Sequence, residues 1–380
     1  MSLVLSEDQK LLKQSAADFV KKESPVSRIR ELRDGEDPDG FSRALWAKMA
    51  ELGWQGILIP EQYGGLGMGY LEVACVLEEC GRNLAPEPML SSVLLGANAV
   101  LLAGNEDQKN ALLPRVADGS LLLALAYHER GARYSVYKVG ASAERRDSSY
   151  VLNGEKALVF DGHAADRLVV SARTSGDETD HAGISLFVVD PGTPGVEVTR
   201  QQTMHLRSAA TVRLSDVEVG ADALLGEEGG AGPVLEDVID RATVGLCAEM
   251  LGGTQAAFEM TVEYLKTRQQ FGVAIGSFQG LKHRAAAMFI EIELMRSVVL
   301  GACQALDESA PDLREAVSAA KARSSDTARL VGYEGIQMHG GIGMTDEHDI
   351  GFYAKRARGS ELTFGDGAYH RDRFAALQGF

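Results

Sequence analysis

The chain has 380 residues, of which 45% are hydrophobic and 24% are charged, and its formal net charge is −16 at pH 7. This length is sufficient for two or three domains with sizeable cores, and the acidic balance argues against nucleic acid or an anionic membrane as a main partner. The longest apolar run, residues 121–126, is too short to span a bilayer. The first residues contain no basic segment, so we expect a cytoplasmic protein without a signal peptide or membrane insertion.

Residues 1–120 have the pattern of a helical domain. Ser6 and Gln9 form a capping-box pair ahead of an apolar series at helical spacing. Later helical segments, including residues 91–104, end at glycine. The glycine-rich stretch 60–69 has no preceding strand and no Lys-Ser/Thr ending, so we interpret it as a loop rather than a phosphate site.

Residues 121–230 have a different texture. Short β-branched runs alternate with turn residues, which predicts an all-β domain, either a barrel or a sandwich. Asn153–Gly154 has the composition of a two-residue hairpin turn, and we predict a turn there.

From residue 231 to 380 helical periodicity dominates again. Three long helices are predicted, over residues 237–271, 278–306 and 314–341, and they indicate a helical bundle whose ends could pack against other copies. The four cysteines follow no metal-ligand spacing and are interpreted as buried, reduced thiols. His339 and His348 are interpreted as polar loop residues, so no metal site is predicted.

Six segments in order, over nearly the whole chain, resemble the acyl-CoA dehydrogenase family of flavoproteins. They are residues 59–82, 104–120, 150–173, 223–232, the "RQQFG" to "FQ" stretch 268–279, and "QMHGGIGMT" at 337–345. The resemblance implies a mainly α fold with an N-terminal α-helical domain (1–120), a central β-barrel (121–230) and a C-terminal four-helix bundle (231–380). It also implies FAD bound across a dimer interface, a homo- or hetero-tetramer, an acyl-CoA substrate, and electron-transfer flavoprotein as the electron acceptor, in fatty acid or lipid catabolism.

The same resemblance assigns a set of residues to a neighbouring subunit's FAD. Arg268 matches the residue that reaches the pyrophosphate, and its always-charged guanidinium suits a phosphate. Phe271 would pack on the adenine end and Gln279 would bond nearby. Gln337, Gly340 and Gly341 would complete this clamp, since glycine lets the backbone approach a cofactor closely.

The chain departs from the family at the catalytic base, a Glu that removes the α-proton of the thioester. The matching position falls within residues 364–366, where no Glu occurs, and Asp366 is the best remaining carboxylate. We favour the alternative reading of Asp366 as a turn residue. A second family position for the base falls on Ala242. Asp240 is two residues away, roughly 200° around a helix, so we expect it to face elsewhere.

A second departure affects the residues that face the flavin ring. By resemblance these are Tyr127, His128, Tyr134 and Phe160, together with Leu158, and several are bulkier than the family residues. We therefore predict a subunit that supplies a FAD clamp to a catalytic partner, with bulky acyl-CoAs or dicarboxylyl-CoAs as substrates by analogy. The alternatives are a self-sufficient homo-oligomeric dehydrogenase with Asp366 as base, a flavoprotein oxidase or monooxygenase, and a cofactor-free structural paralogue.

Overall fold

In the computed structural model, which describes residues 4–35 and 37–380, the N-terminal part is helical. Its helices are α1 (Glu7–Glu23), α2 (Ser27–Asp34), α3 (Arg43–Glu51), α4 (Tyr70–Arg82), α5 (Asn98–Ala103) and α6 (Glu106–Ala117). The capping box of Ser6 and Gln9 at the start of α1 is confirmed, with both reciprocal hydrogen bonds present. Residues 91–104 were predicted as a regular helix, but the first half lies in a π-helix, Met89–Ala97, which continues into α5.

The middle part is a single β domain. Its strands are β1 (Leu123–Ala126), β2 (Ser142–Arg146), β3 (Ser149–Phe160), β4 (Arg167–Arg173), β5 (Ile184–Val189), β6 (Val196–Gln202), β7 (Ser208–Gly220) and β8 (Leu224–Leu225). They form an eight-stranded sheet in the order β6-β7-β3-β2-β4-β5-β8, with β1 paired in parallel to β4. β1 also carries the chain out of the helical domain, and its four residues are all buried.

The predicted hairpin turn at Asn153–Gly154 is wrong. Both residues lie inside β3, where the register shifts between Leu152 and Gly154 against β7. The turn falls earlier, at residues 147–148, because β2 and β3 pair up to Arg146 and Ser149. Gly154 has φ +146° at this irregularity. Glycine therefore serves a bulge here, since long-range strand pairing overrides the local turn preference.

The C-terminal part returns to helices, which confirms the predicted order of helical, β and helical domains. They are α7 (Ala231–Thr267), α8 (Gln279–Asp307), α9 (Leu313–His339), α10 (Ile350–Leu362) and α11 (Gly367–Leu377). The first predicted helix starts six residues too late and ends four residues too late, because α7 runs from Ala231 to Thr267. Arg268 is extended, and a short hairpin follows, formed by β9 (Gln269–Gln270) and β10 (Val273–Ala274).

Two contacts fix how the three parts sit on each other. A Cβ on Gly252 of α7 would lie 1.7 Å from the carbonyl oxygen of Glu78 in α4, so these helices cross with their backbones touching. Buried Glu249 of α7 accepts hydrogen bonds from Arg207 at 2.5 Å and from Arg356 at 3.0 Å. Arg207 precedes β7 and Arg356 is in α10, so the carboxylate links the β domain to the bundle. No helix among residues 4–35 and 37–380 is long and apolar enough to cross a membrane.

Candidate functional site

Two adjoining cavities lie where the β domain meets the bundle. The first, of about 400 Å³, we call the aromatic cavity; Tyr127, His128, Phe160 and Phe364 are in its wall. The second, of about 690 Å³, we call the acidic cavity; its lining includes Glu236, Asp240, Asp366 and Arg373. Tyr134 and Phe364 line both cavities. Volumes of this size are typical of small-molecule sites.

The bulky residues predicted near a flavin ring surround the aromatic cavity. Tyr127 follows β1, Phe160 ends β3, and Leu158 adopts φ +51° in the same strand. Phe160 meets Phe364 edge to face, with ring centroids 6.4 Å apart. These side chains leave an open volume between the β domain and the end of α10. The cavity can therefore take a flat apolar group, which fits against aromatic walls.

Two histidines in the wall of the aromatic cavity have a buried ring nitrogen without a partner among the described residues. The Nε2 atom of His128 lies 3.1 Å from the carbonyl oxygen of Arg133, whereas its Nδ1 atom is buried without a partner among the described residues. The Nε2 atom of His205 is likewise buried and unpartnered. Burial lowers the pKa of both rings, that of His205 to about 3, so both are neutral at pH 7. Buried polar atoms of this kind are usually satisfied by water or a ligand.

Asp366 begins the last helix. Its Oδ1 accepts a hydrogen bond from the backbone N–H of Tyr369 at 2.9 Å, which makes it the N-cap of α11. Its Oδ2 accepts from the hydroxyl of Tyr134 at 3.2 Å. The Tyr369 N–H, which is the largest cause, holds the pKa of this carboxyl below its usual value. Asp366 lines the acidic cavity as a helix N-cap.

Asp240 also lines the acidic cavity, whereas Ala242 does not. Glu236, Asp240 and Thr243 follow one another at steps of four and three on α7 and share one face. Ala242 lies outside that face and is fully buried. Both oxygens of Asp240 accept hydrogen bonds from Arg373 at 2.7 Å. Burial nonetheless raises the pKa of this carboxyl, because desolvation outweighs the pairing with Arg373.

The predicted clamp residues lie apart from both cavities, on the surface. Arg268 ends α7 and forms no ion pair or side-chain hydrogen bond with any described residue. Phe271, in the β9–β10 turn with φ +54°, is 91% exposed. Gln279 begins α8, outside the helix that carries Arg268, because the hairpin separates them. All three are solvent-exposed.

The second half of the clamp lies at the C-terminal end of α9. Gln337 is exposed in the last turn, and Gly340 and Gly341 follow it with open space where a Cβ would be. The Tyr264 ring, one turn before Arg268, lies 4.5 Å from the His339 ring. The structure therefore brings the two halves to one end of the bundle and separates them from Tyr127, His128, Tyr134 and Phe160. His339 itself is buried, contrary to its interpretation as a polar loop residue.

Three functional candidates escaped the sequence reading. His205 and Arg373 are isolated polar residues, and the sequence around them matches no motif that would indicate a functional site. Lys321 is fully buried in α9, and its Nζ donates to the carbonyl oxygens of Gly365 at 2.6 Å and Glu361 at 2.9 Å. Burial lowers its pKa to about 8. Its place in an apolar helical stretch was a usable signal, because a buried lysine needs acceptors.

No group of three or more His, Cys, Asp or Glu side chains within the described ranges is arranged to hold a metal ion. The three-part architecture, with cavities of ligand size between the β domain and the bundle, is that of a protein class with a small-molecule site at a domain interface. Family models identify the class more closely. The N-terminal, middle and C-terminal domain models of acyl-CoA dehydrogenase match residues 6–120, 124–217 and 230–377. The chain therefore belongs to the acyl-CoA dehydrogenase family.

Individual relatives agree with this assignment. An acyl-CoA dehydrogenase of Bacillus subtilis is 31% identical over 373 residues, which cover 97% of each chain. The structure of butyryl-CoA dehydrogenase from Megasphaera elsdenii superposes with a TM-score of 0.91 at 27% identity, covering 100% of both chains. The ChsE4-ChsE5 complex from Mycobacterium tuberculosis matches with a TM-score of 0.88 at 27% identity, also covering 100% of both chains. Relatives are oxidoreductases acting on CH–CH groups, and family members bind FAD.

Proposed function

We propose that this chain is a subunit of a hetero-oligomeric, FAD-dependent acyl-CoA dehydrogenase and supplies part of the FAD site to a catalytic partner chain. The reaction is α,β-desaturation of an acyl-CoA thioester, with electron-transfer flavoprotein as the acceptor. The observation that carries the proposal is a mismatch between two regions. The clamp residues are exposed and unpaired, whereas Asp240 and Asp366, the two carboxylates considered as the base, are already engaged.

The clamp region fits the adenosine and pyrophosphate part of FAD. Arg268 has no competing carboxylate among the described residues, and its paired donors suit a phosphate. Phe271 offers an almost fully exposed ring for stacking on a base. Open space at Gly340 and Gly341 admits a close approach. Phe271 is 91% exposed in the single chain, which favours a contact between its ring and another molecule.

The base is the missing part. When bound, FAD accepts the hydride from the β-carbon, but a protein carboxylate must first take the α-proton. Phe364 lies in the shared wall of the two cavities, within the segment where the base is expected. Asp366 caps a helix and Asp240 is held by Arg373 through both oxygens. Neither carboxylate is placed as a free proton acceptor, so the base is assigned to the partner. The ChsE4-ChsE5 complex supports an assembly of this kind, because a chain that shares this fold occurs there in a complex.

The test is the flavin content of the purified protein. We expect the chain expressed alone to hold well below one FAD per chain, measured from visible absorbance against an independent protein determination. Co-expression with a paralogous partner should restore the flavin. In that complex, Arg268→Ala should lower FAD content, whereas Arg329→Ala, an exposed arginine on α9, should not. Full flavin occupancy of the isolated chain would exclude the partner-dependent role.

A self-sufficient homo-oligomer is the second candidate, since Asp366 does line the acidic cavity and accepts a hydrogen bond from Tyr134. This candidate requires Asp366→Asn to keep its flavin and to lose anaerobic reduction by acyl-CoA. Under the subunit proposal the isolated chain shows no such reduction before the substitution. The two candidates are therefore separated by one measurement on the wild-type chain.

A further inference from the structure

A third cavity, of about 330 Å³, lies on another side of the molecule, and we call it the basic cavity. Its wall comes from α2, from residues 200–208 at the connection between β6 and β7, and from Lys355 of α10. Three regions of the chain therefore meet around it. Met204 also lines the aromatic cavity, and it is the only residue that the described linings of these two cavities share.

The charges around the basic cavity have one sign. Its described lining includes Arg33, Arg200, Arg207 and Lys355 but no Asp or Glu. This is unusual for a chain of net charge −16. An accumulation of cations in a cavity with partly apolar walls raises the local potential and favours an anion.

Two of the four cations lack a carboxylate partner. Arg33 pairs with Asp346, and Arg207 pairs with Glu249. Arg200 instead donates to backbone carbonyl oxygens, including that of Pro38 at 2.8 Å. Lys355 forms no ion pair with a described residue; its ammonium lies 5.9 Å from the Phe352 ring centroid. Neither Arg200 nor Lys355 therefore has a carboxylate within ion-pair distance, although each charge acts on a nearby carboxylate, Arg200 on Asp161 and Lys355 on Asp346.

Unused hydrogen-bond donors accompany these charges. The Nε atoms of Arg200 and Arg207 are buried and have no acceptor among residues 4–35 and 37–380. Buried N–H groups nearly always find a partner, and leaving a charged donor unpaired is costly. These Nε atoms have almost no accessible surface, so an oxyanion in the cavity would be held by the other guanidinium N–H groups and by the Lys355 ammonium.

The rest of the cavity wall is apolar. Ile29 and Leu32 from α2 and Leu206 from the joining segment contribute side chains to it. Ile29 is almost fully buried, so this wall is fixed in the core rather than loose at the surface. An apolar wall next to unpaired cations suits a molecule with an anionic head and an apolar body.

We propose that the basic cavity binds an amphiphilic anion, a carboxylate or phosphate group on a hydrocarbon body, with the head at Arg200 and Lys355 and the body against Ile29, Leu32 and Leu206. The site is independent of the subunit role proposed above. No residue of the FAD clamp and none of the carboxylates weighed as the base lines it.

Isothermal titration of the full chain with decanoate tests the proposal. We expect one binding event, with decanol, which lacks the charge, and inorganic phosphate, which lacks the apolar body, each binding at least tenfold more weakly. Raising the salt concentration should weaken decanoate binding by screening the exposed lysine. A parallel titration with decyl phosphate identifies the preferred head group. Tighter binding of decanoate indicates a carboxylate, and tighter binding of decyl phosphate indicates a phosphate. Absence of binding by both decanoate and decyl phosphate, or equal binding of decanol, would overturn the proposal.

A pair of variants on one helix locates the ligand. Lys355→Gln removes a charge from the basic cavity and should weaken decanoate binding by about tenfold or more. Arg358→Gln, three residues further along α10, removes a charge from the aromatic cavity and should leave the affinity unchanged. The opposite result would place decanoate in the aromatic cavity and refute the assignment. Circular dichroism of both variants checks that the fold is intact.

Discussion

The Arg373–Asp240 pair offers a direct test of the acidic cavity. Both charges are largely removed from water, with side-chain exposures of 17% for Arg373 and 7% for Asp240. Two 2.7 Å hydrogen bonds join them. Arg373→Met removes the cation and leaves the carboxylate buried without its main partner. Breaking a buried ion pair from one side typically costs about 3–5 kcal/mol, so we expect a loss of that order in the free energy of unfolding at pH 7.

The double variant Asp240→Leu with Arg373→Met removes both charges together. Desolvation already raises the pKa of Asp240 despite its partner, which indicates that the pair gains little over an apolar contact. We therefore expect the double variant to lie within about 1 kcal/mol of the wild type, or to exceed it. Urea unfolding followed by circular dichroism measures both variants.

A matched control comes from the same helix. Arg371, two residues before Arg373, bonds Asp326 at 2.6 Å, but these side chains are 57% and 41% exposed. Exposed pairs contribute only a few tenths of a kcal/mol, so Arg371→Met should change stability little. A loss below about 1 kcal/mol in Arg373→Met, or a double variant as unstable as the single one, would refute the buried geometry described for Asp240.

Three further predictions concern stability, each measured by thermal unfolding. Asp366→Ala should cost about 1 kcal/mol through the lost helix cap, whereas Asp366→Asn, which keeps an acceptor, should cost almost nothing; equal losses would contradict the capping role. Burial raises the pKa of Asp161 to about 6, so its contribution to stability is complete below about pH 4 and is lost as the pH rises through 6. Asp161→Asn should therefore gain up to about 3 kcal/mol on the wild type at pH 8 and nothing at pH 4; the same difference at both values would argue against this titration. Gly252→Ala should destabilise by more than about 3 kcal/mol, because the new methyl would meet the backbone of Glu78, while Gly301→Ala, with open space, should stabilise by about 1 kcal/mol.

Local sequence signals predicted features that depend on nearby residues. The capping box at Ser6 and Gln9 needs only four consecutive residues, and it is present as expected. The change from helical to alternating hydrophobic periodicity predicted a separate β domain, because side-chain periodicity differs between helix and strand. By contrast, the Asn153–Gly154 turn was misplaced, since nothing in its own sequence shows that β7 pairs alongside. The end of α7 was also misplaced, because helical composition continues past Thr267 into an extended hairpin.

The same distinction between local and long-range information applies to the candidate site. Short motifs around Arg268 and Gln337 predicted both halves of a FAD clamp, and the structure places these residues at one end of the bundle. The sequence could not predict the hydrogen-bond partners of each carboxylate. Asp240 meets its partner Arg373 across 133 residues, and Lys321 reaches Gly365 across 44.

The sequence by itself determined the order of the domains, the family, and the residue types available to hold a cofactor, because these follow from periodicity and from short contiguous motifs. Only the tertiary structure decided which carboxylates are held by hydrogen bonds. It also decided that bulky residues line the aromatic cavity and that four cations line the basic cavity. Hydrogen bonding, desolvation and cavity shape depend on groups distant in the chain that become neighbours only after packing.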